Sequence, residues 1–339
     1  MTDHEESSHA TSTERDGRGH TNTTSAGHGG EGGTAATDYD VIVVGGGPAG
    51  CSAGVFTARY GLDTLVCDRG RSSLQQCAVV ENYPGFPVSI GVETLSTLFE
   101  DHATEAGCDV VPELVERIDR PDERVEHRSD DSGFVVETAA GNTHTADRVV
   151  AATRYGGEYL RPVLEDDAFE TLDGADGRTR LDRSYPDRDG GTPVDGLYIA
   201  SPSRAADRQA IVAAGRGARV GIEVVEAVRC DQGYPPALAP YYDWVRPESS
   251  REDKWGERET WRGVFADRWP ADREVDRRRY VALREREIDR RLAAYRSEAE
   301  IESTADRGQR RLLEHLEDEL VLERAAEIAA DRDTLEVDT

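Results

Sequence analysis

The chain has 339 residues and carries 68 acidic against 41 basic side chains, a formal net charge of −27. This balance argues against a nucleic-acid-binding protein, whose contact surface is basic. No apolar run approaches the roughly 20 residues that cross a bilayer, and the polar N-terminus lacks a signal-peptide pattern. With five scattered cysteines, which suit a reducing compartment, we expect a cytoplasmic protein without membrane contact.

The basic residues are almost all arginine, with Lys254 as the only lysine, and aromatic residues make up 6% of the chain. An acidic surface poor in lysine predicts a halophilic protein, because molar salt screens the repulsion between like charges. The alternative is a largely disordered acidic chain. The apolar strands within the first 230 residues argue against it.

Residues 1–37 contain mainly glycine, serine, threonine, histidine and acidic residues, and they predict a disordered acidic and polar tail. Four histidines in this tail have irregular spacing and no cysteine partner. A solvated tail is therefore the preferred interpretation over a metal site, and we expect no metal.

The first apolar run, Val41–Val44, leads directly into a glycine turn, and a helix-compatible segment follows from Cys51 to Tyr60. A strand, a glycine turn and a helix in this order place free backbone N–H groups where a pyrophosphate binds. The glycines would supply the tight turn, the close approach to phosphate and the close helix–strand packing. The alternative is an ordinary turn of an α/β protein. The residues of the turn are Gly45, Gly47, Pro48, Ala49 and Gly50.

A second strand, Thr64–Cys67, ends at Asp68, 18 residues after Gly50. This is close to the spacing of the carboxylate that binds an adenosine ribose in dinucleotide-binding folds. Arg69 and Arg71 follow, and an arginine here can accept a 2′-phosphate instead. The acid at the strand end favours a ribose with a free 2′-hydroxyl.

Further motifs follow in a characteristic order along the chain. They are Glu81-Asn82-Tyr83-Pro84-Gly85-Phe86-Pro87, the strand-like run 146–153, the run 193–200, Arg208-Gln209-Ala210 and Ala213-Ala214-Gly215-Arg216-Gly217. Together they resemble the FAD-binding module of thioredoxin reductase-like flavoproteins, of the pyridine nucleotide-disulfide type, over roughly residues 38–153 and 192–228. The resemblance implies an α/β fold for residues 38–230: a Rossmann-like parallel sheet with helices and a small β meander.

The same resemblance implies FAD as the cofactor and a place for each motif along it. The glycine turn would hold the pyrophosphate, and Asp68, with Arg69 beside it, would lie at the adenosine ribose. Asn82 and the segment Arg208-Gln209-Ala210 would lie along the flavin and its ribityl chain. Thr153 belongs to the turn that reads Ala-Thr-Gly in the family. No catalytic acid or base can be named.

Two large parts of the family pattern are missing. Only residues 154–191 stand where the family has a whole NADPH domain, and a domain needs at least about 50 residues. The redox-active Cys-x-x-Cys of that domain has no counterpart, because no two of the five cysteines have this spacing. We therefore expect no reduction of thioredoxin by the family mechanism.

Smaller departures concern the flavin site itself. Arg154 replaces the glycine of the Ala-Thr-Gly turn, and Ser201 and Pro202 replace a glycine and an aspartate at the ribityl chain. Proline also lacks a backbone N–H that could donate to phosphate.

Two functions from different classes follow. One is an FAD-dependent oxidoreductase whose flavin is reduced by a small-molecule substrate, a redox partner protein or free NAD(P)H. The other is a non-catalytic scaffold or interaction protein that has lost flavin chemistry. Cys51 and Cys77 are candidate redox thiols for the first, although a buried packing role is the alternative for Cys51.

Residues 231–271 hold all four tryptophans, and we interpret them as a docking segment on the module or as a lid over the flavin. Residues 272–339 predict a charged helical hairpin, with Asp306 and Gly308 marking the break between its helices. The apolar stripes leave open whether it packs on the module or on a second copy of the chain, which would make a homodimer.

Overall fold

The computed structural model describes residues 37–70, 72–121, 133–154, 156–172, 179–251 and 253–337. The predicted tail, apart from its last residue, lies outside the described residues, as does Arg71. We call residues 38–230 the module and residues 231–337 the extension.

The module is built around one seven-stranded sheet. Its strands and helices are, in chain order, β1 (Tyr39–Val44), α1 (Pro48–Tyr60), β2 (Thr64–Cys67), β3 (Val79–Val80), β4 (Ile90–Gly91), α2 (Val92–Glu105), β5 (Asp109–Val111), β6 (Val115–Asp119), β7 (Phe134–Thr138), β8 (Thr143–Ala151), β9 (Phe169–Thr171), β10 (Thr179–Leu181), β11 (Leu197–Ile199) and α3 (Ala210–Asp231). Strands β5, β2, β1, β8 and β11 are parallel neighbours in that order, and β7 and β6 form an antiparallel meander on β8. The predicted Rossmann-like α/β fold is confirmed.

The sheet is buried on both faces, as expected for parallel strands covered by other elements. Val41, Ile42 and Val43 of β1 are fully buried. Alternate side chains of β1 enter two separate apolar clusters, one on each face of the sheet. Helices α1 and α3 cover the first face, and the meander together with the segment after β8 covers the second. The apolar run of the sequence is thus explained by a central strand.

The segment that stands in place of a second nucleotide domain runs between β8 and β11. Its described residues contain two short 3₁₀ turns, Glu158–Leu160 and Asp166–Ala168, and the two-stranded pairing of β9 with β10. Tyr159 and Leu160 are buried in the second apolar cluster. These residues therefore cover a face of the existing sheet, and within the described part of 154–191 there is no α-helix.

The extension is mainly helical. Its elements are β12 (Arg246–Pro247), α4 (Asp253–Gly256), α5 (Arg258–Arg268), α6 (Arg277–Ala293), β13 (Tyr295–Arg296), α7 (Glu298–Leu313) and α8 (Asp318–Val337), and β12 pairs with β13. Among the helices of the described residues, none is long and apolar enough to span a bilayer.

The predicted break at Asp306 and Gly308 is wrong, because α7 runs through both residues. The chain instead interrupts its helices at residues 294–297 and 314–317, so three long helices replace the expected pair. Ser297 and Glu300 cap each other's backbone at the start of α7, with Glu300 Oε2 2.8 Å from the Ser297 nitrogen. A single exposed glycine costs a helix only about 1 kcal/mol, which such a cap and the neighbouring turns offset.

The extension docks on the module mainly through the end of α3. Arg229 donates to Glu287 of α6 at 3.0 Å and to the carbonyl oxygens of Leu238 and Ala239 at 2.7 Å each. Both charged side chains are buried. Further along, Arg311 and His315 both contact the carboxylate of Asp101 in α2. The segment 231–271 therefore packs on the module beside α3.

Candidate dinucleotide-binding cleft

A cleft of about 790 Å³ opens at the carboxyl ends of β1, β2 and β8. Open α/β sheets bind their ligands at this end, and small-molecule sites typically have ~300–1,000 Å³. Of the residues predicted for the site, nine line the cleft: Gly45, Gly47, Pro48, Ala49, Asp68, Arg69, Thr153, Arg208 and Ala210.

The glycines of the turn have different physical tasks. Gly45 has a φ of +112°, which favours glycine. A Cβ added at Gly46 would lie 2.5 Å from the Asp68 Cβ, and one at Gly50 would lie 1.7 Å from the Gly45 carbonyl oxygen. A Cβ at Gly47 would meet only the Ser72 hydroxyl, at 3.5 Å. The fold itself therefore requires Gly46 and Gly50, whereas Gly47 leaves open space that belongs to the cleft.

The N-terminus of α1 opens into this space. Gly47 is the N-cap and has no side chain to satisfy the first N–H groups, and Pro48 follows as the first helical residue. The N–H of Cys51 is the first to bond within the helix, to the Gly47 carbonyl at 3.0 Å. The N–H of Ala49 precedes it, belongs to a residue that lines the cleft, and suits an anion such as a pyrophosphate. The residues present therefore fit a dinucleotide.

Asp68 lies at one end of the cleft, directly after β2. Its Oδ1 accepts a hydrogen bond from the Gly70 nitrogen at 3.0 Å, which fixes the carboxylate beside the glycine turn. Arg69 lines the same end. A carboxylate at this place can accept from the hydroxyl groups of a ribose.

One wall of the cleft contains residues that the sequence did not predict. Tyr159 lines the cleft, and its hydroxyl lies 3.0 Å from the Thr153 hydroxyl. Burial raises the pKa of Tyr159 to about 12, so the phenol is neutral and can donate a hydrogen bond. Only its position after a glycine pair in the shortened segment could have drawn attention to it.

The loop after β11 forms the rest of this wall and is firmly held. Ser201 donates from its hydroxyl to the Thr153 carbonyl. Arg216 of α3 donates to the carbonyl oxygens of Ser201 and Ile199 at 2.9 and 3.0 Å. Ser201, one of the departures from the family pattern, therefore joins the loop to the end of β8 by a hydrogen bond. Arg154 and Pro202, the other departures, line the cleft.

Asp207 is a second unpredicted residue of this wall. Its Oδ2 accepts from the nitrogen and the hydroxyl of Ser203, at 2.8 Å each, and from the Arg204 nitrogen at 3.0 Å. Burial opposes ionisation, but these hydrogen bonds outweigh it and hold the pKa of Asp207 below its usual value. The side chain is therefore a carboxylate at neutral pH.

Three predicted residues do not line the cleft. Gly50 faces the turn, where it permits close packing. Asn82 donates from Nδ2 to the Gln209 Oε1 at 3.0 Å, and it lies in a separate shallow depression of residues 81–87. The pair joins that loop to the start of α3.

Neither candidate thiol is part of the cleft wall. Cys51 is buried and lies 3.2 Å from the Gly46 carbonyl oxygen, and burial raises its pKa to about 12. Its packing interpretation is therefore the right one. Cys77 is exposed. Among the described residues of the extension, none lines the cleft, so the tryptophans form no lid over it.

Comparison with known proteins gives consistent matches. Residues 39–190 match the profile of the family described as pyridine nucleotide-disulphide oxidoreductase. The thioredoxin reductase of Bacillus subtilis is 45% identical over 73 residues, which is 21% of this chain and 23% of that protein. The thioredoxin reductase of Listeria monocytogenes is 33% identical over 117 residues, 34% of this chain and 33% of that protein.

The matched regions thus span about a quarter to a third of these curated relatives. Among solved structures, a thioredoxin reductase from Gloeobacter violaceus aligns with 57% of this chain and 96% of its own, at 17% identity and a TM-score of 0.45.

Proposed function

Because residues 39–190 are a thioredoxin reductase-like module of the pyridine nucleotide-disulphide oxidoreductase family, we propose that this protein is an FAD-binding oxidoreductase without an NADPH domain or redox disulfide of its own. The family implies a flavin cofactor. The observation that carries the proposal is the open space at Gly47, where an added Cβ would meet only one hydroxyl at 3.5 Å. Gly47 is the N-cap of a helix that begins in the cleft, and the missing side chain there lets a ligand approach the backbone closely.

Each part of the cleft has a role in this proposal. The N-terminus of α1, with the N–H of Ala49, would hold the pyrophosphate, and Asp68 would accept from the adenosine ribose. Thr153, Arg208 and Ala210 would flank the flavin side, with the Asn82–Gln209 pair at the outer rim. The flavin, when bound, supplies the capacity to accept and return electrons.

The electrons would come from outside the chain, from a small molecule or a redox partner protein. Residues 154–191 offer no strand–turn–helix unit in sequence, and their described part covers the sheet. Holding a nicotinamide and a flavin in reacting geometry is worth ~7–11 kcal/mol, so NADPH should reduce this protein slowly. Anaerobic stopped-flow mixing should show bleaching that does not saturate with NADPH. Fast, saturable reduction would reveal a nicotinamide site and contradict the proposal that the chain lacks one.

The direct test is FAD binding by the full chain purified in molar potassium chloride. We expect a yellow protein, and an apoprotein that quenches FAD fluorescence on titration. Gly47→Val should weaken FAD binding at least about tenfold, because its side chain occupies the phosphate space. Gly263→Val is the control, since a Cβ there meets nothing within 4 Å and Gly263 lies in α5, outside the cleft. Equal FAD affinity in both variants would refute the proposed site.

The scaffold function is the second candidate, and one observation favours it. Arg154 and Pro202 both line the cleft, although both replace residues that the family uses around its flavin. A folded but colourless protein that does not take up FAD would favour this alternative over the flavoprotein.

A further inference from the structure

We propose that Asp207 is the carboxylate that accepts from the polyhydroxyl chain of the cofactor, at the end of the cleft opposite Asp68. The inference rests on the proposed function and extends it to a residue that the sequence motifs do not include. It assigns a binding role to the loop after β11, whose sequence departs from the family pattern at Ser201 and Pro202.

The strand order separates the two segments that carry these carboxylates. Asp68 directly follows β2, Asp207 lies in the loop between β11 and α3, and the sheet runs β2, β1, β8, β11. Neighbouring strands are ~4.8 Å apart, so the carboxyl ends of β2 and β11 are separated by about 14 Å. The glycine turn, which follows β1, lies between them. A flavin dinucleotide has a hydroxyl-bearing unit on each side of its pyrophosphate, and one carboxylate would meet each unit.

The two oxygens of Asp207 have different surroundings. Oδ2 takes all three hydrogen bonds from Ser203 and Arg204. Within the described part of the chain, no hydrogen bond reaches Oδ1. An ionised carboxylate offers about four acceptor positions, so half of this group is still available in a cleft that it lines. Hydrogen bonds of Ser201 and Arg216 hold the backbone at the start of this loop in place, so the loop that carries Oδ1 is fixed at that end.

The charge decides which chemical group would be its partner. A carboxylate repels phosphate oxygens and forms strong hydrogen bonds with hydroxyl donors. Asp207 therefore suits the ribityl hydroxyls and would disfavour a phosphate at the same place.

The test measures binding of FAD and of ADP to the apoprotein of the full chain, with circular dichroism to confirm folding. Asp207→Asn keeps one carbonyl oxygen for the loop bonds but removes the charge. It should weaken FAD binding about fivefold, because a charged hydrogen bond exceeds a neutral one by about 1 kcal/mol. ADP lacks the hydroxyl chain, so its affinity should stay within twofold. Ser203→Ala, which removes one loop bond without touching Oδ1, should also leave FAD affinity within about twofold.

Three results would overturn the inference alone: unchanged or tighter FAD binding in Asp207→Asn, an equal loss of ADP affinity, or the same loss in Ser203→Ala. The last would show that Asp207 acts only by shaping its loop. A wild-type protein that binds ADP but not FAD would overturn the proposed function, and this inference with it.

Discussion

The module and the extension of this acidic chain are held together by different forces. In the module, apolar strands are fully buried and two helices approach through glycines: a Cβ at Gly217 of α3 would lie 1.9 Å from the Ala49 carbonyl oxygen of α1. In the extension, arginines converge on carboxylates. Glu285 accepts from Arg258 and Arg262, and Glu287 from three arginines. The module should therefore be sensitive to added volume, and the extension to lost charge.

The largest effect should come from added volume in the module. Gly50→Ala would place a Cβ 1.7 Å from a backbone oxygen, and a backbone atom cannot rotate away as a side chain can. We expect a loss of more than about 4 kcal/mol and no stable fold. Urea unfolding followed by circular dichroism measures it. Gly263→Ala, with open space around its Cβ, is the control and should change stability little. If the Gly50→Ala protein folds normally, the module is not sensitive to added volume at this contact.

The next effect should come from lost charge in the extension. Glu287→Ala leaves the buried Arg229 guanidinium without its carboxylate, and breaking a buried pair costs ~3–5 kcal/mol. The extension should become sensitive to protease while the module survives as a resistant fragment. Glu259→Ala removes an exposed partner of Arg262 and should cost at most about 1 kcal/mol. Equal protease resistance in the two variants would show that the buried pair does not secure the extension.

The two regions should lose stability at opposite ends of the pH scale, the extension in acid and the module in alkali. Hydrogen bonds from Arg262 and Arg258 lower the pKa of Glu285 to about 2. Its stabilising effect is present above the unfolded value of ~4.3 and is lost as the pH falls towards 2. Burial raises the pKa of Cys51, Cys67 and Cys108 to about 12. These thiols bind their protons more tightly when folded, so the module loses stability as the pH rises from ~8.5 towards 12.

Tryptophan fluorescence can report on the extension alone, because all four tryptophans lie there. Tryptophan fluorescence should follow the acid transition. In the alkaline transition it should change less than far-ultraviolet circular dichroism, which reports on the helices of both regions. Cys108→Ala should shift the alkaline limb and leave the acid limb in place. Coincident transitions of both probes in both limbs would mean that the regions unfold as one unit.

The smallest effect should come from salt. The excess of acidic side chains gives a net charge of −27, and these side chains repel one another. Molar potassium chloride reduces the screening length to about 3 Å and so weakens this repulsion. Thermal unfolding should therefore shift several degrees lower when the salt is diluted to about 0.1 M. An unchanged unfolding temperature would contradict the predicted salt requirement.

The local part of the site could be predicted from the sequence, and the part that depends on long-range contacts could not. The apolar run Val41–Val44 needs a buried strand, and the glycine spacing needs a tight turn, so both can be recognised from neighbouring residues alone. Tyr159 and Asp207 reach the cleft from irregular loops without periodicity. Their positions depend on packing against the sheet and on the bonds of Ser203.

The extension shows the same limit. Periodicity predicted helices, but the positions of their ends were wrong at Asp306 and Gly308. Ser297, as a cap, determines where α7 begins. The Arg229–Glu287 pair joins residues 58 apart, and no local pattern indicates which of many charged residues is buried.

The glycine contact between α1 and α3 has a kinetic consequence. The first residues of these two helices, Pro48 and Ala210, both line the cleft. Because backbone touches backbone at Gly217, and again near Gly221 and Ala53, the helices cannot part without breaking the core of the sheet face that they cover. A ligand therefore does not enter by separating these two helices. Its association rate should rise in proportion to its concentration, without the plateau that a slow opening step imposes.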